Sequence, residues 1–320
     1  MYSFVVNIGP SKLDYWHMSE QVNTYGDVET ASFTVNESLT ALAMGKSNLS
    51  LRTEPVEIFL SAIAHSFSRI FVDRDVAPIF NESHGRESWD SSIDISRTVG
   101  WFTTIFPIQV NVNSDEDDVL DTVRRMKDLK RKRPDNGRPY FAHRFLTPEG
   151  KKQFKDHDGT MEIIFNYLGR MQQLEADDSL LQQWTYPENE DNERLVADVG
   201  SEAERFALFE ITCSVVADKI QFSFIYNKKM AHQEEIQRWF TECQRTLEET
   251  IERLAGVKDE TIFTLSDFPL LPITYDGLNK IVTRSLPQVG VTPDMVENIF
   301  PCAPVSKYSR TCTRPSRYIA

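Results

Sequence analysis

Two adjacent alternating stretches followed by one long amphipathic stretch constrain the fold of this 320-residue chain more than any other feature. The alternating apolar side chains are Phe209, Ile211, Cys213 and Val215, then Ile220, Phe222, Phe224 and Tyr226. Because residues 217–219 fit a tight turn between them, the pattern predicts a β-hairpin with one buried face. Residues 232–254 carry apolar side chains at helical spacing and Gly256 follows, which predicts a long amphipathic helix. Together they predict a sheet covered by a helix.

The rest of the chain predicts further helices and strands in mixed order. Helices are predicted from an N-cap at Thr53 to residue 71, and from an acidic start at residues 114–118 to a basic end at residues 127–133. Strands are predicted at residues 76–80, 106–112 and 161–167. Residues 140–146 fit either a short helix or a strand, and residues 172–205 fit a short helix with an exposed loop. This order indicates the α/β class.

The charge balance excludes one class of function and favours no other. The net charge of −13 and the isoelectric point near 5.0 argue against nucleic-acid binding, which needs a basic surface. The basic run at residues 130–133 is interpreted as a helix C-terminus because acidic residues open the same helix. No apolar run reaches the length that spans a membrane, and the first residues do not form a signal peptide. A cytoplasmic protein is expected.

The cysteines give no sign of a metal site. The chain contains Cys213, Cys243, Cys302 and Cys312, without a C-x-x-C pair and without a histidine at zinc spacing. Cys213 and Cys243 fall on apolar faces of predicted elements, so we expect buried thiols in a reducing compartment.

Residues 81–107 form the most charged and most motif-like stretch, NESHGRESWDSSIDISRTVGWFTTIFP. A carboxylate, an imidazole and a guanidinium follow one another closely at Glu82, His84 and Arg86. Two interpretations fit the residues alone. One is a solvated charged turn between two strands, and the other is a loop that presents Glu82 as a catalytic group after a rigid strand.

Three motifs of the chain resemble those of the epimerisation domains of nonribosomal peptide synthetases, which are relatives of condensation domains. The family patterns E-G-H-G-R-E, R-T-V-G-W-F-T with a following proline, and F-N-Y-L-G are matched by residues 82–87, 97–103 with Pro107, and 165–169. The resemblance covers residues 15–304. Ser83 departs from the family glycine, which places an extra side chain next to the presumed reacting group.

This resemblance implies a fold like that of chloramphenicol acetyltransferase, in which two α/β lobes form a V with the active site between them. The chain corresponds to the C-terminal lobe, a mixed sheet with flanking helices, of a fungal-type domain. On this basis residues 1–50 are a lead-in from an N-terminal lobe and residues 51–256 the C-terminal lobe. Residues 257–304 are an interdomain linker and the start of a next condensation domain, and residues 305–320 an aberrant, disordered tail.

The resemblance also implies a reaction, namely inversion at Cα of an aminoacyl or peptidyl thioester. The substrate arrives on the phosphopantetheine arm of a carrier protein, and no cofactor or metal is bound directly. Glu82 matches the family's acid/base glutamate. Its partner is expected to be a histidine of an H-H-x-x-x-D motif in the N-terminal lobe, and no two histidines of this chain are adjacent. The isolated chain is therefore expected to be an inactive fragment of a peptidyl epimerase.

The remaining motif residues are assigned supporting roles. His84 is expected to order the loop around Glu82, and Trp101 belongs to the second motif. Arg86 and Arg97 are expected to pair with the carboxylates of Glu87 or Asp94 and so hold that loop.

Asn166 and Tyr167 match family positions that line the tunnel between the lobes. There an amide or a phenol could donate to an enolate oxygen or orient the base. From the residues alone, strand-end capping and core packing would explain both side chains.

Two other functions remain open. The chain fits a condensation-type lobe that forms peptide bonds, and it fits a non-catalytic module that binds carrier proteins or a separate N-terminal lobe. In either case a lone lobe exposes the surface that packs on its partner, so self-association or poor solubility is expected.

Overall fold

The computed structural model describes residues 8–84, 86, 92–100, 102–113, 118–155, 159–171, 199–257 and 261–301. These residues build a six-stranded mixed sheet with the strand order β1-β6-β5-β4-β2-β3. The strands are β1 Val28–Val35, β2 Ile79–His84, β3 Thr103–Ile108, β4 Met161–Arg170, β5 Ala207–Val216 and β6 Lys219–Asn227. The β2–β4 and β4–β5 pairs are parallel, and the other three are antiparallel.

Seven α-helices of four or more residues accompany the sheet in the described part of the chain. They are α1 Glu37–Ala43, α2 Pro55–Ile70, α3 Val119–Arg131, α4 Arg138–Leu146, α5 Pro148–Gln153, α6 Gln233–Gly256 and α7 Tyr275–Lys280. A π-helical turn, Ile281–Ser285, and a short turn, Leu286–Gln288, continue α7. Short 3-10 helices occur at Tyr25–Asp27, Lys46–Asn48, Pro134–Gly137, Leu265–Asp267 and Pro293–Met295. No described helix is both long and apolar enough to cross a membrane.

The predicted hairpin and its following helix are confirmed. Strands β5 and β6 pair directly, and Ala217 and Asp218 between them have φ values of 46° and 58°, as a tight hairpin turn requires. Helix α6 follows at once and runs to Gly256, the residue that the sequence predicts as its end.

Helix α2 starts later than predicted because a different residue caps it. Glu54 is the N-cap, and its backbone N–H donates to Glu57 Oε2 at 2.8 Å. The Thr53 hydroxyl, which the sequence suggests as the cap, instead donates to Asn48 Oδ1 at 3.1 Å.

Helices α2 and α6 pack on one face of the sheet through aromatic side chains. The ring of Trp239 on α6 lies edge-on to Phe67 of α2 at 5.2 Å and to Phe209 of β5 at 5.1 Å. Its indole N–H donates to Ser66 Oγ at 3.0 Å, so its polar atom is satisfied inside the core. Alternate strand positions on this face are buried, which is the reason for the alternating sequence of β5 and β6.

The opposite face of the central strands is more exposed and more polar. Six of its side chains in β4, β5 and β6 remain partly exposed: Ile164, Asn166, Glu210, Thr212, Ser223 and Ile225. We call this surface the open face of the sheet.

The expected boundary at residue 50 does not separate two structural units. Strand β1 is an edge strand of the sheet and pairs with β6 over its whole length. Phe33 of β1 stacks on Phe222 at 4.9 Å, and the Ser47 hydroxyl donates to the carbonyl of Ile251 at 2.8 Å. Trp16 is fully buried in the same core. Residues 16–50 are therefore integral to this lobe, because β6 would otherwise be an unpaired edge.

The strands around the charged stretch are shifted from their predicted positions. Strand β2 begins at Ile79 and not at residue 76, because Pro78 has no N–H for the ladder. It continues through Glu82, which pairs with Ile105 of β3. Glu82 thus lies on a strand and not in a loop. Strand β3 ends at Ile108, before the predicted end at residue 112.

Residues 261–301, part of the expected linker, pack against helix α3. They enclose a small apolar cluster of their own: Phe263, Phe268, Leu278, Leu286, Val296 and Ile299. The ammonium group of Lys127 is fully buried and donates to both carboxylate oxygens of Asp267, at 2.7 and 2.9 Å, and to the carbonyl of Leu51 at 2.6 Å. Asp128 accepts from the backbone N–H of Ser266 and from the hydroxyl of Tyr275. The segment is thus anchored by buried charges.

Helix α7 lies in this C-terminal part, and Pro293–Met295 forms a short 3-10 turn. That residues 257–304 connect to another condensation domain stays a prediction, and the tail at residues 305–320 lies outside the described residues.

Replacing Asp267 by asparagine should destabilise the protein by about 3–5 kcal/mol, because the buried Lys127 loses its counter-charge. Urea denaturation followed by fluorescence measures this change. The matched control is Glu249→Gln, which removes an exposed partner of Arg245 and should change the free energy of unfolding by no more than about 0.5 kcal/mol. Equal effects of the two substitutions would show that the buried pair does not anchor the segment.

Candidate functional site

Glu82 and Asn166 meet on the open face because their strands are parallel neighbours. The register pairs Asn81 of β2 with Phe165 of β4, so the next residue of each strand points to the other face, side by side. The Asn166 amide Nδ2 donates to Glu82 Oε2. The structure therefore brings together two of the residues that the sequence motifs single out, from positions far apart in the chain.

The environment of Glu82 favours its protonated form. Partial burial raises the pKa of the Glu82 carboxyl, and the negative charge of Glu210 raises it further. Within the described part of the chain, no cation forms an ion pair with Glu82 that would oppose these effects. A half-buried carboxylate with a raised pKa is a stronger base than one in free solution, which suits the removal of a weakly acidic proton.

Glu210 and Arg205 form a buried ion pair beside this site, which the sequence analysis missed. Arg205 Nε lies 3.1 Å from Glu210 Oε1, and the Arg205 side chain is fully buried. Its Nη2 donates to the carbonyl of Ile225 at 2.9 Å. Burial nevertheless raises the pKa of Glu210. A glutamate within the otherwise apolar strand β5 was the signal in the sequence that could have revealed the pair.

Arg86 connects the end of β2 to the segment before β3. Its guanidinium donates to the carbonyls of Thr98 at 3.1 Å and Gly100 at 3.3 Å, and lies over the Phe102 ring at 4.5 Å. Its described hydrogen-bond acceptors are thus carbonyls of the segment before β3, whereas the prediction was a pair with the carboxylate of Glu87 or Asp94. Its expected partner Glu87 lies outside the described residues.

Two further motif residues lie on the surface. His84 is exposed at the end of β2, opposite Thr103. Arg97 is also exposed, and it does not pair with Asp94 as expected. Asp94 accepts instead from the backbone N–H of Ser96 at 2.9 Å, and this bond lowers the pKa of Asp94. Trp101, the other residue of this motif, lies outside the described residues.

Ser83 does not crowd Glu82, contrary to the concern raised by the motif comparison. Alternation along β2 turns its side chain to the other face of the sheet, where the Asn81 amide donates to Ser83 Oγ at 2.9 Å. The surface around Glu82 is therefore unaffected by the substitution of the family glycine.

Tyr167 lies on the helix-covered face, away from Glu82. Its ring packs edge-on against Phe59 of α2 at 5.4 Å, and its hydroxyl contacts Met44 Sδ at 3.9 Å. Burial raises the pKa of the phenol. The structure thus favours the packing interpretation for Tyr167 and the site interpretation for Asn166.

The described residues contain no cluster of three or more His, Cys, Asp or Glu side chains that could hold a metal ion. Cys213 and Cys243 are buried and unpaired, as predicted. Burial raises the pKa of both thiols, that of Cys243 to about 12, so neither is a ready nucleophile. A cavity of about 460 Å³ lies elsewhere, between Arg124 of α3 and residues 261–294.

The raised pKa of Glu82 predicts a pH-dependent effect of Glu82→Gln on stability. When the folded-state pKa exceeds the unfolded value of about 4.3, ionised Glu82 disfavours folding at pH 7, and this penalty disappears below about pH 4. The variant should therefore gain stability relative to the wild type as the pH rises from about 4 to 7. Urea denaturation at both pH values measures this gain.

The control for this experiment is Glu29→Gln, which removes an exposed glutamate from β1 at the far edge of the sheet. A pH-dependent gain for Glu82→Gln that is no larger than the gain for the control would contradict the proposed environment of Glu82.

Comparison with known families gives one match that covers most of the chain. The model of the condensation domain matches residues 20–268. Among curated proteins, Nonribosomal peptide synthetase 1 of Aspergillus fumigatus is 49% identical over 301 residues, which are 94% of this chain and 5% of that protein. Nonribosomal peptide synthetase 4 of Gibberella zeae is 44% identical over 300 residues, 93% of this chain and 4% of that protein. The chain thus spans a small fraction of these relatives.

Solved structures share the fold at low sequence identity. The epimerization domain from the third module of tyrocidine synthetase B superposes with a TM-score of 0.58 and 20% identity, covering 79% of this chain and 53% of that one. The X-domain in complex with OxyB from teicoplanin biosynthesis gives a TM-score of 0.53 and 13% identity, over 79% of this chain and 52% of that one. With the family match, these similarities confirm the predicted chloramphenicol-acetyltransferase-like α/β fold.

Proposed function

Since the chain belongs to the condensation-domain family of nonribosomal peptide synthetases, we propose that it forms one lobe of an epimerisation domain. The observation that carries this proposal is the position of Glu82, a half-buried carboxylate on the open face with Asn166 as its donor. Condensation-type chemistry on an amine would not require a carboxylate of raised pKa at this place.

The proposed reaction inverts the configuration at Cα of a carrier-bound aminoacyl or peptidyl thioester. The Glu82 carboxylate takes the α proton, and the electron pair of the C–H bond moves to form an enolate with its negative charge on the thioester oxygen. A second acid then gives a proton to the opposite face of Cα, and the thioester carbonyl re-forms. General acid–base catalysis of this kind typically contributes about 10²–10⁴-fold to the rate.

Asn166 has the role of orienting the base in this proposal. Its amide holds one oxygen of Glu82, so the other oxygen is left to face the substrate. Because the amide sits on a central strand of the sheet, it is fixed more firmly than a loop residue would be.

The second acid must come from outside this sequence. We assign it to a histidine of an H-H-x-x-x-D motif in an N-terminal lobe, and such a lobe would also close the site from water. Two observations support a two-lobed arrangement. The chain covers about half of the tyrocidine epimerization domain, and the open face carries exposed polar side chains. The Aspergillus and Gibberella relatives support the fungal-type assignment.

The remaining parts of the proposal concern the partners and the location. The partner is a carrier protein whose phosphopantetheine arm presents the thioester, so that the chain itself needs no bound cofactor. We propose a cytoplasmic location, since the free thiols of Cys213 and Cys243 fit a reducing compartment.

A condensation-type lobe that forms peptide bonds is the second candidate. The family match favours it, because the matching model describes the condensation domain as a whole. In that case Glu82 would position a substrate amine or carbonyl, and the α proton would stay in place. A lobe that binds carrier proteins without any chemistry is the third candidate.

The proposal is tested by proton exchange in heavy water. The full chain is mixed with a separately produced N-terminal lobe that bears H-H-x-x-x-D and with a carrier protein loaded with an aminoacyl thioester. We expect deuterium at Cα by mass spectrometry and loss of stereochemical purity. The Glu82→Gln variant should exchange about 10²–10⁴-fold more slowly, because a neutral amide cannot accept the proton.

Glu29→Gln serves as the control and should exchange at the wild-type rate, since Glu29 lies on the edge strand β1. A dipeptide formed with a second loaded carrier protein, without exchange, would replace the proposal by the condensation function. Carrier binding with neither product would select the non-catalytic module. Exchange that persists in Glu82→Gln would remove Glu82 from the mechanism.

A further inference from the structure

The geometry points to Glu210, held by Arg205, as a positioning residue that places a second carboxylate on the same face of the sheet as Glu82, two strands away, and strengthens Glu82 as a base. This inference rests on the proposed function, in which Glu82 removes the α proton. Neither Glu210 nor Arg205 belongs to the three sequence motifs. Glu210 lies on β5, and Arg205 lies between β4 and β5.

The register of the central strands places Glu210 on the open face, two strands from Glu82, with β4 between them. Glu210 pairs with Ile164 of β4, and Ile164 lies two residues before Asn166, the donor to Glu82. Since side chains two residues apart in a strand share a face, Glu82, Asn166 and Glu210 lie on one face across three adjacent strands. Burial is the main cause that raises the pKa of Glu82, and the charge of Glu210 raises it further.

Arg205 keeps this second carboxylate charged in a half-buried place. Besides its ion pair with Glu210, its guanidinium donates to Ile225 O and, at 3.4 Å, to Asn23 Oδ1. Asn23 in turn accepts from Asn227, a fully buried amide. With its donors committed to fixed acceptors on several elements, Arg205 cannot swing across to neutralise Glu82.

Among the described residues, those directly beside Glu82 on the neighbouring strands carry no charge. Beside Glu82, strand β3 contributes Ile105 and strand β4 contributes Asn166, which are both uncharged. His84 is exposed at the end of β2. Beside Glu210, Tyr25 is the other titratable neighbour, and burial together with the charge of Glu210 raises the pKa of its phenol.

The arrangement solves a problem that a single carboxylate faces. Burial raises the proton affinity of a carboxylate and makes it a stronger base, but deep burial also seals it from substrate. The base therefore needs another interaction that raises its proton affinity and leaves it accessible. A fixed like charge achieves this at a distance and leaves Glu82 half-exposed. Because the two carboxylates then interact, the titration of each should depend on the charge of the other.

Carbon-13 NMR titration of the glutamate carboxyl groups tests the coupling on the full chain, without any partner. In Glu210→Gln the titration midpoint of Glu82 should move to lower pH, so that its proton affinity falls several-fold. In Glu82→Gln the midpoint of Glu210 should fall as well, since the coupling is reciprocal. The control Glu29→Gln should leave both midpoints in place.

Unchanged midpoints in both variants would overturn the inference. The same conclusion would follow if Glu210→Gln lowered the stability but left the Glu82 midpoint unchanged, because the ion pair would then be structural only. Should Glu210→Gln fail to fold, the reciprocal measurement in Glu82→Gln decides alone, since Glu82 is partly exposed and its replacement leaves the Arg205 pair intact.

Deuterium exchange separates this inference from the proposed function. If Glu82→Gln abolishes exchange and Glu210→Gln leaves the titration of Glu82 unchanged, the proposed function stands and the role of Glu210 fails. If the carboxylates are coupled but exchange does not depend on Glu82, the proposed function fails. Where both the proposed function and the role of Glu210 hold, the exchange rate of Glu210→Gln should begin to rise at lower pH than that of the wild type. Its maximal rate should be lower.

Discussion

The packing of two long helices on a single face of the sheet is the constraint on which the rest of this structure depends. Trp239 fixes that layer, because its ring contacts α2 and β5 together while its N–H is satisfied by Ser66. Most large buried side chains of the central strands, among them Phe165, Phe209, Phe222 and Phe224, lie on this side. The opposite face is therefore free to carry polar groups without loss of core, and it is there that Glu82 lies.

The open face gains its chemical character from the mixture of parallel and antiparallel pairing. Parallel neighbours β2, β4 and β5 place residues from three distant parts of the chain on the same face of the sheet. Glu82, Asn166 and Glu210 are brought together in this way, and rigid strands hold them. A site of this kind needs little adjustment when substrate arrives, which favours a preorganised base.

Local sequence patterns predicted much of the fold. The face of the sheet on which each site residue lies could be determined only from the strand register. The alternation of β5 and β6 and the apolar stripe of α6 are properties of short windows, so they were readable directly. Asn166 and Tyr167 are consecutive motif residues, yet the pleat sends one to Glu82 and the other to Phe59. The Arg205–Glu210 pair was missed because its meaning depends on which strands are neighbours, and a single sequence does not state that. Glu82 was assigned to a loop because Pro78 was counted inside the strand.

The pairing of β1 with β6 has a consequence for how this lobe is made in the cell. Asn23 and Asn227, which bond to each other next to these strands, are separated by 204 residues. During synthesis at about 5–20 residues per second, the N-terminal edge strand must wait roughly 10 to 40 seconds for its partner. Throughout that time Trp16 and Phe33 have no core to enter, and the ribosome-bound chain presents them to the surroundings. The chain is thus a natural client for chaperones that shield apolar segments, and its yield should depend on the speed of translation more than its final stability would indicate.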